Sequence, residues 1–97
     1  MEYEFSSAIT RGGNALTPEK IIITDSLIVW KKRNKFLIGF DSISIPISSI
    51  SSVEIDQKIW GANITIYSLG SGKIVAKNFT GSDAKKIKAL ITNKNDS

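Results

Sequence analysis

The densest group of chemically active side chains is a basic and aromatic segment near the middle of the sequence. Its cations and the aromatic residues beside them are Trp30, Lys31, Lys32, Arg33, Lys35, Phe36 and Phe40. Such cations can hold an anionic lipid headgroup while apolar side chains enter the membrane interface. They can equally hold a nucleic-acid backbone while the rings stack on bases. The competing interpretation, which we favour, is a solvated basic hairpin whose rings point into the core, because strand residues alternate between two faces.

Catalytic chemistry has few candidate residues in this chain. The absence of cysteine excludes disulfides and thiolate nucleophiles, and the absence of histidine removes the commonest general base and metal ligand. Gly70, Ser71 and Gly72 lack the spacing and the lysine of a phosphate-binding loop. We therefore predict no catalytic, cofactor-binding or metal-binding residues, and no enzyme.

Glu54 and Asp56 are the one pair of carboxylates that we considered for acid–base chemistry. They lie two positions apart and would share one face of a strand. They also alternate with the apolar Val53 and Ile55, so we expect both carboxylates on the solvent face of that strand.

Length and composition fit one small globular domain. The chain has 97 residues, of which 41% are hydrophobic and 23% charged, and its net charge of +4 favours anionic partners only weakly. The first residues carry acids where a signal peptide would carry positive charge, and no apolar run is long enough to cross a bilayer. We expect a cytoplasmic location, with peripheral membrane contact as the alternative.

Short β-strands are the elements that must position these residues. Residues 21–24 and 27–30 are apolar and rich in β-branched side chains, and Asp25 and Ser26 between them predict the turn of a first hairpin. Isoleucines alternate with small polar residues over 42–47, which is typical of a half-buried strand. Pro46 cannot donate to a ladder and indicates a sheet edge.

The second half of the β region alternates as clearly. A slip of parity near residues 48–49 predicts a bend or bulge. Ala62, Ile64 and Ile66 then alternate with polar residues or tyrosine, and Ile74 and Ala76 alternate with Lys73, Val75 and Lys77. The glycines at 70 and 72 predict a hairpin turn between these two strands.

One amphipathic helix is predicted at the end of the chain. Thr80 or Ser82 can cap it, and Asp83 would lie in its first turn, where the helix dipole favours an acid. The apolar face consists of Ala84, Ile87, Leu90 and Ile91, and the other face of Lys85, Lys86, Lys88 and Ala89. Because Lys94 would return to the apolar stripe, we expect the helix to fray near Asn93.

The order of these motifs resembles that of bacterial pleckstrin-homology (PH)-like domains. The resemblance rests on residues 21–30 and 44–55, on Trp60, Gly61 and Ala62, and on the lysine-rich terminal helix, and it covers residues 19–92. It implies a seven-stranded, strongly bent barrel or sandwich capped by the helix. Members of the wider superfamily bind lipids, peptides or proteins, and some bacterial members form oligomers. This chain departs from the pattern at residues 31–41, where its hairpin is longer and more apolar.

We therefore predict a mainly β fold with one C-terminal helix. It would be a PH-like barrel or sandwich of six or seven antiparallel strands, capped by an amphipathic α-helix. Residues 1–18 would be a lead-in that is partly flexible or forms an extra strand. The domain would span residues 19–92, and residues 93–97 would be a polar tail.

Two functions from different classes follow from this interpretation. The leading hypothesis is a non-catalytic module for protein–protein interaction or self-assembly, without a cofactor or small-molecule substrate. The alternative is peripheral binding of anionic membrane lipid, or with less support nucleic acid, through the hairpin at residues 30–40. In lipid-binding eukaryotic relatives the basic motif usually lies at the first hairpin, and here that turn carries the acidic Asp25.

Three other surfaces are candidates for a partner. The apolar run at 36–40 can form a self-association surface, although a strand buried on both faces is the favoured interpretation. The predicted edge at 42–47 can accept a peptide strand, whereas Pro46 is equally a device against such pairing. Lys85, Lys86 and Lys88 can meet an acidic partner, but a lysine-rich face is common to amphipathic helices.

Overall fold

The computed structural model describes residues 2–7, 19–33, 40–59, 61–70 and 72–95. Within these ranges the strands are β1 (Tyr3–Ser6), β2 (Glu19–Ile23), β3 (Leu27–Arg33), β4 (Phe40–Pro46), β5 (Ile50–Lys58), β6 (Gly61–Ser68) and β7 (Lys73–Phe79), followed by helix α1 (Gly81–Asn95). The strands form two antiparallel sheets. Sheet A has the order β1-β2-β3-β4, and sheet B has the order β5-β6-β7.

The first predicted hairpin is confirmed, and its turn is held by a threonine side chain. The backbone N–H of Leu27 donates to Thr24 Oγ1 at 3.0 Å, and the N–H of Thr24 donates to the carbonyl of Leu27 at 2.9 Å. Such local side-chain bonds favour turns because they replace backbone partners that a strand would supply. Pairing of β2 with β3 then places Ile28 opposite Ile23 on the buried face.

The predicted sheet edge and the predicted bend are both found where the chain passes from sheet A to sheet B. Strand β4 is an edge of sheet A and ends at Pro46, as expected for a residue without an N–H. A 3₁₀ turn at Ile47–Ser49 follows. The N–H of Ile47 donates to Ser26 O at 2.9 Å, and the N–H of Leu69 donates to Ser49 O at 2.7 Å. These bonds join the turns of both sheets at this corner.

The core lies between the two sheets and under the helix. Strand alternation in β6 and β7 is as predicted, because Ala62, Ile64, Ile66, Ile74 and Ala76 are all fully buried. Phe79 and the isoleucines at positions 21, 23, 28 and 87 complete its most buried part. Burying each such large side chain contributes about 1.5–3 kcal/mol, so apolar packing is the main stabilising term.

Helix α1 begins at the predicted threonine cap. Thr80 Oγ1 accepts a hydrogen bond from the N–H of Asp83 at 3.1 Å, so Thr80 and not Ser82 is the capping residue. Gly81 lies directly on β5, where an added Cβ would come within 2.7 Å of Gln57 Oε1. The helix packs Ala84, Ile87 and Ile91 into the core, and Leu90 is half-buried at the margin.

The end of the helix differs from the prediction. We expected fraying near Asn93 because Lys94 falls on the apolar stripe, but the helix continues to Asn95. The side chain of Lys94 is only 23% exposed, and its Nζ lies 3.5 Å from Asp25 Oδ1 in the β2–β3 turn. A lysine can therefore occupy the stripe, since its aliphatic stem packs while its ammonium group reaches a carboxylate.

The predicted fold class is confirmed as a mainly β sandwich of a four-stranded and a three-stranded sheet with one C-terminal helix. The two sheets do not close into a barrel. No helix in the described ranges has the length and apolar character needed to cross a membrane.

Candidate functional site

Strand alternation divides the predicted basic cluster between the two faces of sheet A. Lys31 lies on the outer face, opposite Lys20 of β2. Lys32 lies on the inner face, with Glu19 opposite it on β2 and Asp41 opposite it on β4. An anion approaching either face therefore meets only part of the cluster, and the two acids beside Lys32 offset its charge.

The rest of the predicted cluster is described only in part. Lys35 and Phe36 lie outside the described residues, as does most of the apolar run at 36–40. Arg33 and Phe40 are register partners at the ends of β3 and β4, and their side chains lie outside the described part of the structure. The proposed roles of these four residues stay predictions.

Trp30 is held by a buried carboxylate that joins the two sheets. Its ring is half-buried, and Nε1 donates to Glu19 Oε1 at 2.8 Å. Glu19 is 7% exposed. Its Oε1 also accepts a hydrogen bond from the backbone N–H of Lys77 in β7 at 3.3 Å. The indole is thus part of the contact between the sheets, which favours the interpretation that Trp30 belongs to the interior.

A bulge in β7 frees the backbone N–H of Lys77 to donate to Glu19. Lys77 and Asn78 together lie opposite Asn63, where the register of β6 and β7 shifts. Asn78 has a φ of 66°, a left-handed conformation that asparagine tolerates better than most residues, and its N–H donates to Asn63 Oδ1 at 3.2 Å. The bulge turns the N–H of Lys77 away from the ladder and toward Glu19.

A groove between β1 and α1 is the concave feature that our sequence reasoning missed. Its volume is about 440 Å³, and it is lined by Tyr3, Glu4, Phe5, Lys86, Ala89 and Leu90. Tyr3 and Phe5 belong to the inner face of β1 and Glu4 to the outer face. Because side chains from both faces line it, the groove runs along the edge of β1.

The groove combines apolar surface with the outer strand of sheet A. Tyr3, Phe5 and Leu90 are half-buried and pack against the core with one side only. Strand β1 is the outer strand of sheet A and pairs with β2 alone among the described strands. An edge of this kind presents backbone donors and acceptors that another strand can pair with.

The charge at the groove is positive on balance. The carboxylate of Glu4 lies 3.5 Å from Lys20 Nζ, so a lysine offsets the one acid of the lining. Lys86 is exposed on the helix side and has no ion pair with any residue that the structure describes. A ligand with an acidic group near Lys86 therefore suits the groove better than a basic one.

The pair of carboxylates considered for acid–base chemistry faces solvent, as expected. Glu54 and Asp56 are exposed on the outer side of β5. Glu54 accepts a hydrogen bond from the Tyr67 hydroxyl at 3.3 Å, and Asp56 lies 3.1 Å from Lys58 Nζ. Across the described ranges, no three acidic side chains come close enough together to hold a metal ion.

The family comparison agrees with the resemblance seen in the sequence. Residues 3–93 match the family described as the bacterial PH domain. The match spans both sheets and most of the helix, and it includes β1, which the sequence resemblance over residues 19–92 left out. No curated protein matches the chain.

Proposed function

Since the chain belongs to the bacterial PH domain family, whose domains are generally non-catalytic binding modules, we propose that it is a non-catalytic protein-binding domain. Its partner docks as an extended peptide segment in the groove between β1 and α1. The observation that carries the proposal is the coincidence of an outer strand and an apolar groove along the same edge.

Strand addition is the mode of binding that this geometry supports. β1 has four residues and spans about 13 Å, so it can pair with roughly four to six residues of an extended peptide. The peptide backbone would pair with β1, and every second side chain would enter the groove beside Phe5 and Leu90. An acidic side chain at the helix side would lie near Lys86.

The other edge of sheet A suits a peptide less well. The sequence left strand addition at β4 open, because Pro46 is equally a device against such pairing, and β4 is indeed an edge. Its exposed side chains are mostly polar, namely Asp41, Ser42 and Ser44, with Ile43 38% exposed among them. Pro46 at the end of the strand has no N–H to donate. The β1 edge is therefore preferred, because it adds side-chain contacts to the backbone pairing.

The proposal is tested with a displayed library of random heptapeptides selected on the immobilised protein. We expect the enriched peptides to carry alternating apolar residues and an acid. In fluorescence polarisation, Leu90→Lys should weaken their binding by at least about tenfold, because it places a charge in the apolar groove.

Leu69→Lys is the matched control, because Leu69 is 69% exposed in the β6–β7 turn and does not line the groove. Peptide affinity should be unchanged in that variant. Enriched peptides that bind the Leu90→Lys protein as tightly as wild type would exclude the groove as the docking site.

Binding of anionic lipid or nucleic acid through Lys31, Lys32, Arg33 and Lys35 has weaker support. The described part of that cluster is split between two faces, and acids lie beside Lys32. A titration with liposomes containing anionic lipid, and another with oligonucleotides, across ionic strength tests it. Salt-sensitive binding that is lost on combining Lys31→Glu with Arg33→Glu would favour this function over peptide docking.

A further inference from the structure

The outer face of sheet B carries two rows of opposite charge. Glu54 and Asp56 are exposed along β5, and Lys73 and Lys77 are exposed along β7. The central strand β6 lies between them and presents half-buried polar and aromatic side chains to the same side: Asn63, Thr65 and Tyr67. The helix packs on the opposite side of this sheet, where the core residues lie.

The two rows lie too far apart to neutralise each other within one molecule. Two strand spacings separate β5 from β7, which is about 10 Å. The contacts of these charges are local: Asp56 lies 3.1 Å from Lys58 Nζ, and the Nζ of Lys73 lies 5.9 Å from the centre of the Tyr67 ring. Glu54 accepts a hydrogen bond from the Tyr67 hydroxyl, and the negative charge of this carboxylate raises the pKa of that phenol.

We propose that a second copy of this chain packs on this face, with a two-fold axis parallel to β6. Rotation about that axis reverses the order of the strands, so β5 of each copy lies over β7 of the other. Asp56 is level with Asn63 and the bulge at Lys77, so it meets Lys77 of the second copy. Glu54 is level with Val75, so it lies between Lys73 and Lys77 of the second copy and can pair with either of them.

The charge pattern selects this partner and this arrangement. A two-fold axis across the strands would place acids over acids and lysines over lysines. An anionic membrane or nucleic acid would be repelled by Glu54 and Asp56, which line one edge of the face. A second copy supplies both signs at the required spacing, as an isologous interface demands.

The central contacts add apolar and aromatic surface to the ion pairs. On the axis each β6 side chain faces its own counterpart, so the two Tyr67 rings lie close to each other. Val75, which is 37% exposed, adds apolar area in the β7 row between Lys73 and Lys77. Offset contact of aromatic rings is favourable, and sheets that pack face to face are separated by about 10 Å.

The dimer should be weak and sensitive to salt. Three strands of about seven residues give a face of roughly 300 Å² per copy. Stable complexes bury about 800 Å² per partner, so this interface belongs to the transient class. Its four ion pairs would be exposed at the rim and largely screened at high ionic strength.

Sedimentation velocity over a range of protein concentrations, at low and at high salt, measures this association directly. The wild-type protein should show a concentration-dependent monomer–dimer equilibrium at low salt, weakened at least about tenfold at high salt. Wild type that stays monomeric at low salt, up to about millimolar concentration, would overturn the proposal.

Two charge-reversal variants test the geometry of the interface. Glu54→Lys with Asp56→Lys leaves both rows basic, and Lys73→Glu with Lys77→Glu leaves both rows acidic apart from Lys58 at the end of β5. Each variant alone should lose self-association by at least about tenfold, whereas an equimolar mixture should form a one-to-one complex. Failure of the mixture to associate, or dimerisation of either variant as tight as wild type, would exclude this interface.

Two controls separate the face from general charge and from the peptide groove. Lys85→Glu with Lys88→Glu changes the net charge as much as the acidic-face variant, but on the helix, and should keep the dimer. Leu90→Lys should also keep the dimer, because its side chain lines the groove and not sheet B. Loss of the dimer in either control would move the contact to the helix and exclude the sheet B face.

Discussion

The two flanks of helix α1 differ in what covers them. On the closed flank, Ala84, Ile87 and Ile91 are at most 1% exposed and pack into the core beneath β5 and β6. On the open flank, Ala89 and Leu90 border the groove along β1 and remain accessible. Leu90 lies only about 60° around the helix from Ile87, so one apolar stripe supplies both flanks.

The difference separates stability from binding within a single element. The closed flank stabilises the sandwich because its apolar area is fully removed from water. The open flank leaves apolar area beside β1, which among the described strands pairs with β2 alone. Substitutions on the closed flank should therefore destabilise the protein, whereas those on the open flank should mainly weaken peptide docking.

Ile87→Ala should have the largest effect on stability. It removes a fully buried side chain at the centre of the closed flank and leaves a cavity. We expect a loss of about 2–5 kcal/mol in the free energy of unfolding, measured by urea denaturation. If the loss were no larger than that of Leu90→Ala, the distinction between the two flanks would have to be abandoned.

Glu19→Ala should have the next largest effect on stability, and Glu19 lies away from both flanks of the helix. It leaves the indole N–H of Trp30 and the backbone N–H of Lys77 without their carboxylate partner. We expect a loss of about 1–3 kcal/mol in unfolding free energy, with peptide affinity unchanged. A matching loss of peptide affinity would show that the groove depends on the overall stability of the sandwich.

Thr80→Ala should lower the stability of the whole helix and so affect both flanks equally, because it removes the cap at the helix N-terminus. The expected loss is about 1 kcal/mol, read from the shift of the urea midpoint at constant slope. Ser82→Ala is the matched control, since Ser82 is exposed in the first turn and is not the capping residue. Equal losses for the two variants would contradict the assignment of the cap.

Leu90→Ala should have the smallest effect on stability of the four. Leu90 is only half-buried, so we expect a loss of about 0.5–1 kcal/mol in unfolding free energy. The same change removes apolar surface from the groove and should weaken the selected heptapeptides severalfold in fluorescence polarisation. Unchanged affinity, together with unchanged stability, would leave the open flank without a role in docking.

Local patterns predicted most of the fold. Alternation placed Ile64 and Ile66 in the core, and the missing N–H of Pro46 predicted the end of an edge strand. The prediction that the helix frays near Asn93 was wrong, because an ion pair between Lys94 and Asp25 joins residues far apart in the chain. No local pattern contains a contact of that kind.

The candidate site was less accessible to sequence reasoning. The cluster around Lys31 and Lys32 looks continuous in the chain, but strand pairing sends the two side chains to opposite faces and brings acids beside one of them. The alternation of residues 2–5 is visible in the sequence. The position of strand β1 beside Leu90 is not, because β1 and α1 lie at opposite ends of the chain.

Neighbouring residues and their period are enough to predict the hairpins, the edge strand and the capped start of the helix. Folding shows which edge of sheet A borders the helix, which lysines share a face, and how the charge rows of sheet B are spaced. Those properties arise from pairing between residues distant in sequence, and several arrangements satisfy the same local pattern.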